Sequence, residues 1–303
     1  MTVRRFIVGE GDGATIAAIV ALAAPGDARA IAEGRVFIGR RRAQTADEPV
    51  RAGDDVTVAS AVEDAVDEVR VLARGTSWVA VDKPAGIPTI PDHGGASHAL
   101  ITLAARAVGL DPSRLHATSR LDRDVSGVVI FALDADFAAR LQREREEHRY
   151  ARRYVALASR APNEDGGTWD APIGRAKDPR HRAVNGRDAT DARTHFAVAA
   201  RANEVALLAL APITGRTHQL RVHASHAGAP LLGDRTYGGP SRLTLPTGKV
   251  LSLDRIALHA ARVTVFGSAI DSPIPTMLRE TWSALGGDEG HWDQGVTRVL
   301  PNL

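Results

Sequence analysis

Residues 154–158, 195–200 and 206–210 read as three successive strands with no helical period between them. Parallel neighbours need a long crossover, usually a helix, so this order predicts a mixed, largely antiparallel sheet with flanking helices. The class is therefore α+β and not a doubly wound parallel fold. Further strands are predicted at 69–73, 78–81, 128–133 and 263–266. Helical periods occur at 97–108 and 137–148, the second capped by Asp134 or Asp136.

Upstream, residues 1–60 read as a small α/β unit. An apolar helical stretch ATIAAIVALAA breaks at Pro25-Gly26. A second helix over 28–33 stops at Gly34, a strand follows at 35–38, and another strand follows the turn at Gly53-Asp54. An acidic linker, 61–73, separates this unit from the main domain, 74–270, and 271–303 form an acidic tail carrying Trp282 and Trp292. Hydrophobic residues make up 44% and charged ones 24% of the 303, the balance of a globular protein. No run of about 18 apolar residues could span a membrane, and MTVRRFIVGEGDG lacks a signal-peptide core. A cytoplasmic monomer is expected. With no cysteine, disulfides, thiol nucleophiles and cysteine-bound zinc are excluded.

Net charge is only +2, but it is unevenly spread. Residues 1–58 carry eight basic and eight acidic side chains, whereas 74–270 carry 27 basic against 19 acidic. A positive central domain suits an anionic partner. All basic residues but Lys83, Lys177 and Lys249 are arginines, which favours bidentate phosphate contacts.

Three stretches concentrate polar groups with glycine or proline: VDKPAGIP at 81–88, SRLDRDVSG at 119–127 and ITGRTHQLRVHASHAGAPLLGD at 213–234. Neither GxxxxGK[ST] nor GxGxxG occurs, so no nucleotide cofactor is expected. His218, His223 and His226 have no HExxH pattern or carboxylate to complete a shell, so no metal is expected either. Asp122 and Asp124, two apart on an extended segment, could share acid and base work. Flanking arginines favour the charged carboxylate instead, which makes one ionised Asp with an Arg partner the simpler reading.

In order along the chain, these stretches resemble the RluA-type family of RNA pseudouridine synthases. Lys83-Pro84-Ala85-Gly86 is similar to that family's KPxG segment, and 119–127 to its HRLDxxTSG motif. RRYVA at 152–156 resembles the family's KxYxA segment, with Tyr154 in the tyrosine position. TGRTHQLRVHASHAGAPLLGD at 214–234 matches the long third motif, and ALHAARVTV at 257–265 the closing strand. Residues 1–60 are similar, more weakly, to a small RNA-binding module named after a small-subunit ribosomal protein. Its IxxGxVxVNG appears as 31–39, its GDxIxV as 53–58, and the arginine run 40–42 could meet phosphate. Ser119 and Val125 depart from the family's His and Thr, which implies altered loop packing with activity retained, and Arg152 stands for a lysine.

The resemblance implies a cofactor-independent isomerase acting on structured RNA, with ribosomal RNA favoured over transfer RNA. It implies Asp122 as the catalytic carboxylate, Arg221 as the partner that keeps it ionised, and Tyr154 stacked on the uracil. Arg120 is implied to enter the stack vacated by a flipped base. Arg216, His218, Gln219 and Lys83 are counted with it among the RNA-binding residues. Removing Arg221 is then expected to cost activity and spare the fold. A catalytically silent RNA-binding or ribosome-assembly protein, and a hydrolase using Asp122 with Asp124, are the competing readings.

Overall fold

A computed structural model describes residues 3–32, 34–39, 41–59, 68–91, 98–245, 248 and 250–292. The chain divides into two compact units, the first made of Met1–Val69 with Ile87–Leu115 and the second of Arg70–Gly86 with His116–Leu303.

In the first unit, strands β1 (Val3–Ile7), β2 (Val36–Ile38), β3 (Arg41–Arg42) and β4 (Asp55–Ala59) form an antiparallel sheet of order β1-β4-β2-β3. Helix α1 (Ile16–Ala23) begins at Thr15, whose hydroxyl accepts a hydrogen bond from the Ala18 amide. Its Ile16, Ile19 and Val20 pack with Val36, Val56 and Val58 in one apolar cluster. Of the helix predicted over 28–33, the described residues form only a 3-10 turn at Ala28–Ala30, and Gly34 takes a left-handed φ of +68° four residues later. Helix α2 (Leu100–Ala107) completes the unit. Of the arginine run, Arg40 lies outside the described residues, as do 61–67 of the linker.

The second unit is built on ten strands: β5 (Arg70–Arg74), β6 (Trp78–Lys83), β7 (His116–Ala117), β8 (Ser126–Ala132), β9 (Ala151–Ala158), β10 (Gly166–Asp170), β14 (Arg193–Ala202), β15 (Val205–Pro212), β18 (Leu258–Val265) and β19 (Ser268–Asp271). Their order is β10-β14-β15-β9-β18-β8-β6-β5, with β7 beside β8 and β19 beside β18. All described pairings in this sheet are antiparallel except β18 with β8, which run parallel through His259 opposite Ser126 and Ala260 opposite Gly127. That approach requires glycine. Gly127 sits at φ +121°, and a Cβ there would lie 2.2 Å from the Ala260 carbonyl oxygen.

The mixed α+β architecture expected from the sequence is thus present. Its central strands β8 and β15 are buried along their whole length because both faces of the sheet are covered there. On one face Val155, Leu157, Leu207 and Ala209 pack with Leu278 and Trp282 of α5 (Thr276–Ala284) and with Trp292. Residues 271–292, set apart in the sequence as an acidic tail, therefore contribute to the core. On the other face Tyr154, Ala156, Leu208 and Leu210 meet Leu220 and Ala224 of α4 (Gln219–His226). The alternation of Tyr154 and Val155 is the two-residue strand period. Helix α3 (Ala135–Glu146) is capped by Asp134, whose carboxylate accepts from the Phe137 amide at 2.7 Å, and it buries Phe137 and Leu141 against β8.

Two small sheets were not legible in the sequence. One joins β11 (Ile173–Arg175), β12 (Arg182–Val184) and β13 (Arg187–Thr190); the other pairs β16 (Arg242–Thr244) with β17 (Val250–Ser252). Each strand is at most four residues long, too short for a periodicity to build up.

Candidate active site

Asp122 sits in the turn that leads into β8, where the Val125 amide donates to its carbonyl at 3.1 Å. Gly86, closing the KPAG turn after β6, donates its amide to the Arg123 carbonyl at 2.9 Å. Lys83, the last residue of β6, is fully buried, and its ammonium donates to the carbonyls of Pro84 (3.0 Å), Arg123 (2.9 Å) and Val125 (2.7 Å). Three acceptors match the three N–H groups of an ammonium. Burial, then the nearby Arg255 charge, pushes its pKa down to about 7. The grouping of Lys83 with the RNA-binding residues is corrected by this geometry: the side chain points into the protein and clamps the Asp122 loop.

Lys83→Met, which removes all three donors, is expected to lower kcat more than about tenfold by loosening the loop, since a buried carbonyl left without a donor costs about 1–3 kcal/mol and, among the described residues, only that of Arg123 keeps a second one, the Gly86 amide. RNA affinity and its salt slope should stay as in wild type. A filter-binding series in salt beside single-turnover kinetics checks both, and a reduced salt slope would return Lys83 to the phosphate-binding set.

The Asp122 carboxylate, 28% exposed, accepts from Arg221 Nη1 at 2.8 Å. Arg221, on α4, gives its other two donors to Asp234: Nε to Oδ2 at 2.7 Å and Nη2 to Oδ1 at 2.8 Å. Asp234 is almost wholly buried, so the guanidinium bridges one inaccessible carboxylate and one accessible one. Burial acts to lower the Arg221 pKa, but the hydrogen bonds and charge of Asp234, with those of Asp122, outweigh it and leave the pKa raised. The guanidinium also lies 4.9 Å from the ring centre of Tyr237.

His218 immediately precedes α4, at φ +57°. Its Nε2 is 3.9 Å from Asp122 Oδ2 and its Nδ1 is 2.7 Å from the Tyr237 hydroxyl oxygen, and that oxygen accepts from the Arg182 amide at 3.0 Å. Tyr154, buried on β9, shares an apolar cluster with Val125, Leu220 and Leu121, so its strand brings it to the face that carries Arg221. Burial pushes its phenol pKa up. Val125, where the resemblance leads one to expect threonine, buries its side chain in that same cluster. Asp124 makes no hydrogen bond or ion pair among the described residues.

The remaining predicted residues divide in two. Gln219 is buried and braces the start of α4: its Oε1 accepts from Thr214 Oγ1 (2.7 Å) and the Arg216 amide (2.9 Å), and its Nε2 donates to the Arg193 carbonyl (2.9 Å) and Thr194 Oγ1 (3.0 Å). Arg216 and Arg120 are exposed. Arg216 donates Nε to the Asp191 carbonyl at 2.8 Å, and Arg120 makes no hydrogen bond or ion pair among the described residues. Arg152, at the lysine position, donates to the Thr214 carbonyl at 2.7 Å and ties β9 to the third motif.

Sequence reasoning missed Asp234, Tyr237, Arg255 and His259 as parts of this assembly. Asp234 closes the third motif and Tyr237 follows three residues later, so position alone could have raised both. Beneath the loop, Ser126 Oγ accepts from Arg255 Nη2 at 2.7 Å and lies 2.8 Å from His259 Nδ1. Burial pushes the His259 pKa down to about 4 from the usual 6.5. The unfolded chain therefore binds a proton between pH 6.5 and 4 that the folded chain refuses, so stability is lost as pH falls through that window, by about 3 kcal/mol in total. His259→Asn is expected to flatten this limb of a urea-denaturation series against pH. An unchanged limb would exclude His259 as its source.

Groups of three or more His, Cys, Asp or Glu able to hold a metal are absent among the described residues. No helix there is long and apolar enough to cross a membrane.

The arrangement joins an accessible carboxylate, a guanidinium hydrogen-bonded to it and a neighbouring buried tyrosine, and the chain that builds it is similar to known proteins. A model of the family described as RNA pseudouridylate synthase matches residues 77–226. The chain is 36% identical over 225 residues to RNA pseudouridine synthase YhcT of Bacillus subtilis, covering 71% of each chain. It is 34% identical to ribosomal large subunit pseudouridine synthase D of Xanthomonas campestris, over 73% of this chain and 70% of that one. Among solved structures, human RNA pseudouridylate synthase domain containing 4 superposes with a TM-score of 0.58 at 26% identity, covering 71% of this chain and 92% of that one. With its fold, its ordered motifs and these relatives in agreement, the chain belongs to the RluA-type family of RNA pseudouridine synthases.

Proposed function

We propose that Asp122 is the catalytic carboxylate with which this isomerase converts uridines of structured RNA, ribosomal before transfer RNA, into pseudouridine. The observation that carries the reading is the 2.8 Å pair of Asp122 with Arg221, in which a buried guanidinium holds a partly exposed carboxylate ready for an incoming ligand. The reaction breaks the bond between uracil N1 and ribose C1′ and forms one between C5 and C1′. N1 gains a proton, C5 loses one, and nothing else is consumed.

Tyr154 is the aromatic surface for the extruded base, and its burial in an apolar cluster supplies the low-dielectric wall such a pocket needs. Arg120, exposed two residues before Asp122, takes the place of the flipped base in the stack. Arg216 and the positive excess of 74–270 bind backbone phosphate. The first unit acts as an auxiliary RNA-binding module whose share of affinity is small, because Arg5, Arg35 and Arg41 are already paired with Asp55, Asp27 and Glu48. The preference for ribosomal RNA follows the name of the Xanthomonas relative. A monomer working in the cytoplasm completes the reading.

Tritium release from RNA carrying C5-labelled uridine tests the activity, and pseudouridine mapping in total RNA from a deletion strain against its parent finds the target. Lost pseudouridines in large-subunit ribosomal RNA are expected. Loss confined to transfer RNA would overturn the substrate assignment.

A further inference from the structure

We infer that Tyr237 is a positioning residue that locks His218 in the tautomer carrying its proton on Nε2, placing an uncharged N–H donor beside Asp122 to bind a uracil carbonyl oxygen as the base leaves. The inference rests on the reading of Asp122 as the catalytic carboxylate.

The tautomer follows from hydrogen-bond bookkeeping around one hydroxyl. The Arg182 backbone N–H can only donate, so the Tyr237 oxygen accepts from it at 3.0 Å. The second contact of that oxygen is His218 Nδ1 at 2.7 Å. If Nδ1 carried the proton, the phenol O–H would have no acceptor among the described residues, in a half-buried position where an unmade hydrogen bond is costly. The phenol therefore donates to a bare Nδ1. In a neutral ring the proton is then on Nε2, the nitrogen that faces Asp122.

At 3.9 Å from Oδ2, that N–H is too far from the carboxylate for a hydrogen bond. It is left to donate to whatever enters beside Asp122. Burial and then the Arg221 charge lower the His218 pKa against the opposing pull of Asp122, so the ring stays neutral. The backbone fixes the ring as well: φ of +57° at a non-glycine residue is a strained conformation, held here by the brace of Gln219 that begins α4. The same tyrosine ring lies against the Arg221 guanidinium, so one side chain orients both residues that flank Asp122.

A donor at this point acts on the step common to every route Asp122 could take. When the N1–C1′ bond breaks, its electron pair stays with the base and spreads onto the carbonyl oxygens. A fixed N–H binds that anion more strongly than it binds neutral uracil, which is the condition for a contact to accelerate the step. The proton remains on Nε2 throughout, so the ring needs no reset between turnovers.

The test uses the full chain labelled with 15N-histidine, the His218 signals being identified by their loss in a His218→Gln sample. Two-bond nitrogen–proton spectra should show Nε2 protonated and Nδ1 bare at neutral pH. Tyr237→Phe keeps the ring against Arg221 and removes the hydroxyl, and with it the acceptor of the Arg182 amide. It should redistribute the tautomers and lower kcat about tenfold or more, with KM within about twofold. Two further variants separate a donor from a fold effect. Gln places an amide N–H near the Nε2 position, whereas Asn cannot reach it but suits a left-handed backbone better. His218→Gln should therefore be the more active, and His218→Asn the more stable. A wild-type His218 protonated on Nδ1, a Tyr237→Phe enzyme with unchanged kcat, or an Asn variant at least as active as Gln would each overturn the proposal. If wild type released no tritium from RNA, the Asp122 reading would fall instead, and the spectra distinguish the two failures because they need no RNA.

Discussion

Asp122→Asn is expected to lower tritium release by at least about a thousandfold while RNA affinity stays within a few-fold. The amide has nearly the shape of the carboxylate but can act neither as a nucleophile nor as a base. Its oxygen can still accept from Arg221 Nη1, and the bidentate pair of Arg221 with Asp234 is untouched, so the apparatus around it should stay in place. Affinity is carried by cations elsewhere on the domain. Asp124→Ala is the matched control. That carboxylate makes no hydrogen bond or ion pair among the described residues, and near wild-type turnover is expected. Appreciable turnover by Asp122→Asn would remove Asp122 from the chemistry, and inactivity of Asp124→Ala with an intact fold would revive the two-carboxylate hydrolase.

Strands and motifs were readable in this sequence where one residue type has one use. The run from Tyr154 to Ala158 reads as strand because both of its faces meet apolar layers, and the absence of helices between such runs gives the antiparallel order. Lys83 was misread for the opposite reason. A lysine beside proline and glycine looks like a phosphate ligand, and only its tertiary position shows that three main-chain carbonyls of the Asp122 loop absorb its donors. Gln219 follows the same pattern, its polar atoms being spent on residues 193–216. Asp234 escaped because its importance is a pairing over 13 positions that no local period encodes. The short strands 173–190 were lost because runs of three or four residues are too short to carry a periodic signal.

Arg221→Ala is expected to cost about 3–5 kcal/mol of stability in addition to activity, which corrects the expectation that the fold would be spared. The reason is Asp234, only 1% exposed, whose two oxygens take the Nε and Nη2 donors of Arg221. Truncating the arginine leaves that carboxylate without either of its donors in the interior, whereas Asp122, more than a quarter exposed, can turn to water. Loss of activity in Arg221→Ala alone would therefore not show that Arg221 serves Asp122, since partial unfolding gives the same result. The double variant R221M/D234L separates the two effects. It replaces the buried pair with apolar side chains of similar bulk, a change that often leaves stability within about 1–2 kcal/mol of the original. Denaturant titration should show most of the loss recovered, while tritium release stays as low as in Arg221→Ala because Asp122 has then lost the Nη1 donor that orients it. Recovery of both stability and turnover would mean that Arg221 supports the fold and not the carboxylate, and a single variant as stable as wild type would mean that Asp234 is satisfied without it.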